Sequence, residues 1–293
     1  MRLEEKATVV STTVAAILVT MKMSIGILSG SVAVLASAID SFLDLSVSLF
    51  NFFALKTSSK APDENFNYGR SKMEPLAAVI EGTIISLSAL FIFYEAMIKF
   101  FHKRETTYIN ESIGVMIISM VITALLVIFL HWVAKKTKNM VIEADALHYK
   151  TDLFSNGAIL IGLGVMAYTD NNLIDPILGI AIAIYMIYSA YPLIKNGILM
   201  LLDAAIDEED FKEIEAVFEN APNITSYHHL RTRSSASEYF ISVHIVFNIS
   251  ISLYDAHKIS DKLEMQLETL FEDKTVHTII HMDPYDDSDI NEM

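Results

Sequence analysis

Cysteine is absent from all 293 residues, which excludes disulfides and thiolate metal ligands and leaves the redox compartment open. No H-E-x-x-H occurs either, so the helical histidine pair with its glutamate base, the mark of one zinc-enzyme class, is missing. Positive charge is scarce toward the C-terminus. From Asp203 onward there are 20 acidic and 6 basic residues, which holds −14 of the formal −15. Such a surface disfavours nucleic acid and suits cations or basic partners. Apolar residues are abundant: they make up 53% of the chain, with a mean hydropathy of +0.41. That is too high for an ordinary soluble domain. The expectation is a polytopic membrane part over 1–203 and a separate acidic soluble part over 204–293.

Length and hydropathy predict six spans: Thr8–Gly30, Val32–Leu55, Leu76–Phe101, Ile113–Val133, Val141–Tyr168 and Ile174–Ile194. The first follows MRLEEK but is too long for the apolar core of a signal peptide. Gly30-Ser31 leaves almost no loop, so the first two spans form a tight hairpin. Arg2, Lys6, Lys56, Lys60, Arg70, Lys72, Lys135, Lys136, Lys138 and Lys195 fall on one side, against Lys99, Lys103 and Arg104 on the other. This bias predicts both termini in the cytoplasm. Gly157, Gly162 and Gly164 in the fifth span, and Gly179, Ala181, Ala183 and Ala190 in the sixth, offer small surfaces for close helix contact. Beyond Asp203, DEEDFKEIEAVFENA reads as an amphipathic helix with acids in its first turn. SYHHLRTRSS and SEYFISVHIVFN read as strands around Ser234–Ser237, followed by a helix Leu253–Phe271 and a strand VHTIIHMD. The order αββαβ is a small α+β domain with a three-stranded sheet.

Within the second span, AIDSFLDLS sets Asp40 and Asp44 four residues apart, on one helix face. A carboxylate at that depth costs about 2.5–3.5 kcal/mol on insertion scales. Two together need a counter-charge: a metal ion, a proton or a basic partner. ADALHYKTD repeats the spacing in the fifth span with His148 and Asp152. Helix–helix hydrogen bonding, or pairing with Lys150, is the structural alternative, but two such pairs in different spans favour an ion pathway. Three carboxylates and an imidazole make a tetrahedral set for a divalent ion. Zn(II), Fe(II), Cd(II) and Co(II) suit it better than Cu(I), and the ligands alone do not choose among them. Four protein ligands leave no open position for water, against an intramembrane metalloenzyme. A passive channel or a metal sensor is the other rival.

GSVAVLASAIDSFLDLSVS, ADALHYKTD, LRTR and IIHMDP, in this order over nearly the whole chain, resemble the cation diffusion facilitators, most nearly the bacterial iron/zinc/cadmium efflux members. The resemblance implies a homodimer, six spans per protomer, and alternating access that exports a divalent cation such as Zn2+, Fe2+ or Cd2+ against inward protons. Asp40, Asp44, His148 and Asp152 match the family's transport site, and a histidine at 148 resembles zinc- and iron-type members. The loop before the third span departs from the pattern. Similar members carry Asp-x-x-His-x-x-x-His there, whereas DENFNYGR keeps Asp63 but has Phe66 and Arg70 for the histidines. Phenylalanine cannot ligate and arginine repels a metal, so no stable site is expected. The fourth-to-fifth connection, KKTKNM, lacks the histidine-rich insertion of many organellar relatives, which favours a bacterial inner membrane.

By the same resemblance His228, His244, His257, His281 and Asp283 match the family's cytoplasmic zinc positions, with Asp283 able to bridge two ions. His229 and His277 match none. Zn2+ held there is expected to neutralise the acidic domains and draw two protomers together. Lys72 and Asp203 match an intersubunit charge interlock beneath the membrane. Glu81, in the third span, is a candidate either for tuning proton coupling or for a helix–helix hydrogen bond.

Overall fold

The computed structural model describes residues 2–29, 32–102, 113–169 and 174–288. The Gly30-Ser31 turn, Lys103 and Arg104 lie outside the described residues, as do the side chains of Asp40 and Lys99 and the surroundings of Gly162 and Gly164, while Ala181 is exposed. Two compact units divide the chain, Met1–Ile198 and Leu199–Met293.

The first unit is built from long helices: α1 (Leu3–Ser29), α2 (Val32–Ser58), α3 (Met73–His102), α4 (Ile113–Thr137), α5 (Met140–Thr169) and α6 (Ile174–Leu201). Several outrun the predicted spans, because their polar ends continue the helix beyond the apolar stretch. Among the described residues Leu3–Ile25, Met73–Ile98 and Ile117–Thr137 are long and apolar enough to cross a membrane. Apolar side chains also cover outward faces, with Leu125, Ile128 and Tyr188 all exposed, as a lipid-facing surface requires. Inside, α1 packs along α2, and α5 packs on α3 and α4. Leu55, Leu130, Ile142 and Tyr149 fill the space between α2, α4 and α5.

Small residues let α6 reach α3 closely. A Cβ at Gly82 would stand 2.7 Å from Ile194 Cγ1, and one at Gly197 would stand 2.6 Å from Val79 Cγ2 and 3.0 Å from the Pro75 carbonyl. Of the glycines expected to play this part, a Cβ at Gly179 would stand 3.0 Å from Ala96 Cβ and one at Gly157 3.5 Å from Met120 Cε. Where α2, α3 and α5 begin or end, Glu74 accepts hydrogen bonds from Ser58 Oγ (2.8 Å) and Asn139 Nδ2 (2.6 Å). Asn139 Oδ1 in turn accepts from the first free amides of α5, at Val141 and Ile142, as an N-cap does.

The second unit has the expected αββαβ order: α7 (Glu208–Glu219), β1 (Ser226–Ser235), β2 (Glu238–Val246), α8 (Leu253–Leu270) and β3 (Thr275–Asp283). The sheet runs β1-β2-β3, antiparallel between β1 and β2 and parallel between β2 and β3. The β1–β2 turn is tighter than expected: β1 continues to Ser235, and Ala236, with φ 54°, makes the reversal. Alternation along β2 sends Tyr239, Ile241, Val243 and Ile245 into a core with Ile214 and Phe218 of α7 and Leu263 and Leu267 of α8. The opposite face therefore receives Ser242 and His244 from β2 and the exposed Ile279 and His281 from β3. The fold is thus a polytopic helical membrane domain followed by a small α+β domain.

Candidate metal centres

In the membrane unit, α2 supplies Asp44 and α5 supplies His148 and Asp152. His148 Nε2 lies 3.3 Å from Asp44 Oδ1 and 3.6 Å from Asp152 Oδ2. The three donor atoms all fall within 4.8 Å of one another. Bonds of about 2.0–2.2 Å in a tetrahedron put neighbouring donors roughly 3.3–3.6 Å apart, so the spacing suits one small divalent ion. Asp40 stands one helical turn before Asp44 on α2, and its side chain is outside the described residues. Next to the imidazole, Tyr149 presents its ring edge-on at 5.6 Å, and its hydroxyl lies 2.8 Å from Ser48 Oγ of α2. This contact joins the two helices that carry the donors. Lys150, the alternative partner for the acids, is directed elsewhere, over the rings of Phe154 (5.7 Å) and Tyr185 (5.5 Å).

Buried polar groups surround this centre. Glu81 Oε2 accepts a hydrogen bond from Asn51 Nδ2 at 2.8 Å, tying α3 to α2. Asp145, one turn before His148, is wholly buried, and neither of its oxygens has a hydrogen-bond partner among the described residues. Sequence reasoning passed over Asp145, although an acid inside a span is itself the signal.

The loop between α2 and α3 closes on itself. Arg70 Nη2 donates to Asp63 Oδ2 at 2.6 Å while its guanidinium covers the Phe66 ring at 4.1 Å. The amides of Asn65 and Phe66 donate to Asp63 Oδ1. The Arg70 hydrogen bond, with these amides, holds the Asp63 carboxyl below the usual carboxylate range against desolvation. Phe66 and Arg70 thus form a clasp around the acid.

In the second unit the strand register assembles the cluster. His228 pairs across from His244, and His244 across from His281. A bulge shifts β1 between His228 and Arg231, with His229 in the left-handed region at φ 51°, as bulges that re-aim side chains do. Asp283, only 6% exposed, uses both oxygens. Oδ2 lies 2.9 Å from His244 Nδ1 and 3.7 Å from His228 Nε2, and Oδ1 lies 3.1 Å from His281 Nε2. His257 is not in this group: it is exposed on α8 with Nδ1 3.6 Å from Asp261.

Two acids that the sequence reading missed do join. Asp287 Oδ1 lies 3.0 Å from His228 Nε2, and Asp286 Oδ1 lies 3.7 Å from His228 Nδ1. His228, His244, Asp283 and Asp287 bring donor atoms within 4.8 Å of one another, so imidazole and carboxylate donors fit a zinc-like ion. The Ser288 hydroxyl and amide hold Asp286 below the usual carboxylate range. The ring of His229 sits 4.8 Å from that of His228. His277 instead stacks on Phe240 at 4.8 Å, with Arg233 on the other ring contact at 3.9 Å. Asp203, in a left-handed backbone with φ 58°, accepts from Arg233 Nη1 of its own chain at 3.1 Å. Lys72 lies half-buried just ahead of α3.

Residues 8–202 match the family described as the cation efflux transmembrane domain, and residues 206–285 the cytoplasmic domain of cation efflux proteins. The chain is 34% identical over 283 residues to the cation-efflux pump FieF of Shigella flexneri serotype 5b (strain 8401), covering 97% of this chain and 93% of the relative. The same figures hold for the pump of that name from Escherichia coli strain K12 / DH10B. Among solved structures, the metal-bound C-terminal domain of the CzcD transporter from Thermotoga maritima is 26% identical. That match covers 27% of this chain and 94% of the other, with a TM-score of 0.25. The chain belongs to the cation diffusion facilitator family, the membrane-embedded transporters of cation efflux.

Proposed function

We propose that the chain exports a divalent transition-metal cation of the zinc, iron or cadmium type across a bacterial inner membrane, in exchange for protons. It works as a homodimer with both termini in the cytoplasm. The observation that carries this reading is His148 Nε2 between Asp44 Oδ1 and Asp152 Oδ2, at 3.3 and 3.6 Å, on two helices of the membrane unit. With Asp40 added, the site carries three carboxylates and one imidazole. Ionised, these attract a divalent cation from the cytoplasm. Opened toward a side richer in protons, the same groups protonate and release it, since ligands must shed protons before they bind metal. Rocking of helices about the site alternates its exposure. The charge bias of the loops supports the orientation.

In the cytoplasmic unit, His228, His244, His281 and Asp283 hold Zn2+, with Asp287 as a further donor. His257, the fifth position that the resemblance implies, stands outside this cluster on α8. Bound zinc supplies positive charge to a surface crowded with carboxylates. Lys72 and Asp203 serve as the charge interlock between protomers, Asp203 being positioned by Arg233. Glu81, hydrogen-bonded to Asn51, holds α3 to α2 beside the transport site. The Asp63 loop binds no metal, because Arg70 takes the carboxylate.

Proteoliposomes with an imposed proton gradient test the export reading, with zinc, iron, cadmium and manganese offered separately. Uphill movement of zinc, iron or cadmium that is lost in Asp152→Ala is expected. Downhill-only flux would make the protein a channel, and equal transport by Asp152→Ala would remove the site.

A further inference from the structure

On α1, which packs along α2, Lys22 is buried, with 8% of its surface exposed. Its Nζ donates to Ser41 Oγ on α2 at 2.7 Å, and Ser41 is itself 1% exposed. Ser41 follows Asp40 and precedes Asp44 by three residues. Helical periodicity puts positions three apart on neighbouring ground, about 5–6 Å between Cβ atoms. The ammonium is therefore anchored on α2 about one helical turn from Asp44, within the membrane unit.

A lysine held among packed spans is expensive and needs a reason. Bridging α1 to α2 is not a sufficient one, because a long neutral donor such as glutamine could hydrogen-bond Ser41 without bringing a charge into the membrane. Snorkelling is not one either: the ammonium ends on a buried hydroxyl rather than at a helix terminus. Charge balance supplies the reason. A divalent cation among three aspartates leaves one negative charge uncompensated, and in a low-dielectric surrounding that remainder is costly. One lysine ammonium offsets that remainder, to which the buried carboxyls of Glu81 and Asp145 add whenever they are ionised.

We propose that Lys22 is the fixed counter-charge of the transport site. It offsets excess negative charge at the loaded site and opposes over-tight binding, so that the cation can leave. The proposal rests on the transport-site reading above. It makes Lys22 a positioning and affinity-setting residue, one that acts through its charge rather than by touching the cargo.

The test is zinc binding to the purified full-length dimer at one fixed pH, with Asp283→Ala and His244→Ala silencing the cytoplasmic site. Lys22→Met should tighten zinc binding by at least about tenfold, the scale set by a unit charge removed a helical turn away at protein-like dielectric. It should slow turnover in proteoliposomes, while Lys22→Arg keeps both near wild type. Ser41→Ala, which removes the anchor but leaves the charge, should shift affinity far less. Unchanged or weaker zinc binding in folded Lys22→Met overturns the proposal, and so does a Ser41→Ala protein that behaves like Lys22→Met, since that marks a mere helix tie. If Lys22→Met does not fold, Lys22→Gln is read by the same criteria. Asp44→Asn reads the site independently. If it leaves zinc binding intact, the transport-site reading fails and takes the Lys22 assignment with it, whereas weakened binding in Asp44→Asn beside unchanged Lys22→Met sinks the counter-charge alone.

Discussion

An imidazole set between two carboxylates on different helices is a poor structural device, because both acids must stay desolvated to keep it. It is a good cation trap. Asp44→Ala should therefore weaken zinc binding by more than the 10–100-fold typical of losing a mere outer-shell partner, as read by titration of the full-length protein. His148 adds choice: exchanging its nitrogen for a fourth carboxylate oxygen moves preference toward Mn2+. In His148→Asp the ratio of manganese to zinc transport should rise and the pH dependence of transport should change. Proteoliposome assays across pH check both, and identical profiles would remove His148 from the site. The four-residue spacings of Asp40 with Asp44 and His148 with Asp152 were readable because helical periodicity and hydropathy coincide there. Asp287 was not. Its partner, His228, is 59 residues away, and among the acids of the tail it looks like any solvated carboxylate. Lys22 was hidden for the opposite reason, since one lysine near the end of an apolar run resembles a membrane-edge anchor until its hydrogen bond to Ser41 is known.

Elements constrain these residues through contacts that a side chain of the wrong size would break. At Gly197 a Cβ would meet Val79 Cγ2 at 2.6 Å and the Pro75 carbonyl at 3.0 Å. Backbone oxygen cannot step aside as a flexible side chain can. Gly197→Val should then cost about 1–3 kcal/mol, the usual penalty of overpacking, and lower the melting temperature of the detergent-solubilised protein. In the sheet unit, Tyr239 of β2 donates its hydroxyl to Asp210 of α7. Burial first, and then the Asp210 hydrogen bond, push its phenol above the usual tyrosine range. A pKa raised in the folded state means stability that is complete below the unfolded value of about 10 and is lost as pH rises toward the folded one. Denaturant titrations at rising pH should show this alkaline loss in the native protein and a smaller one in Tyr239→Phe. At neutral pH that variant should be weaker by about 0.5–1.5 kcal/mol. Alternation of Tyr239, Ile241, Val243 and Ile245 made β2 legible. The bulge at His229 was not, because β1 is half-buried on both faces and carries no apolar alternation to fix its register.

At the scale of the whole molecule, nearly all of the net charge lies beyond Asp203, a division plain in composition. Composition does not say how such a surface can assemble. Like charges on two identical acidic units oppose their approach, and the repulsion weakens with salt over a Debye length of about 8–10 Å. Cations bound at Asp283 and its histidines would counter that repulsion where the donors converge. If metal is held there as proposed, chelating it should loosen the cytoplasmic units, and raising salt should partly restore their association, since salt screens the charge that the cation neutralises. Asp283→Ala should imitate chelation and become insensitive to added zinc, because it removes the carboxylate whose two oxygens face His244 and His281. Intersubunit distances from spin labels on α8, with and without zinc, measure this directly. Equal distances in both states would mean that the charged units associate without metal and that the cluster serves another purpose.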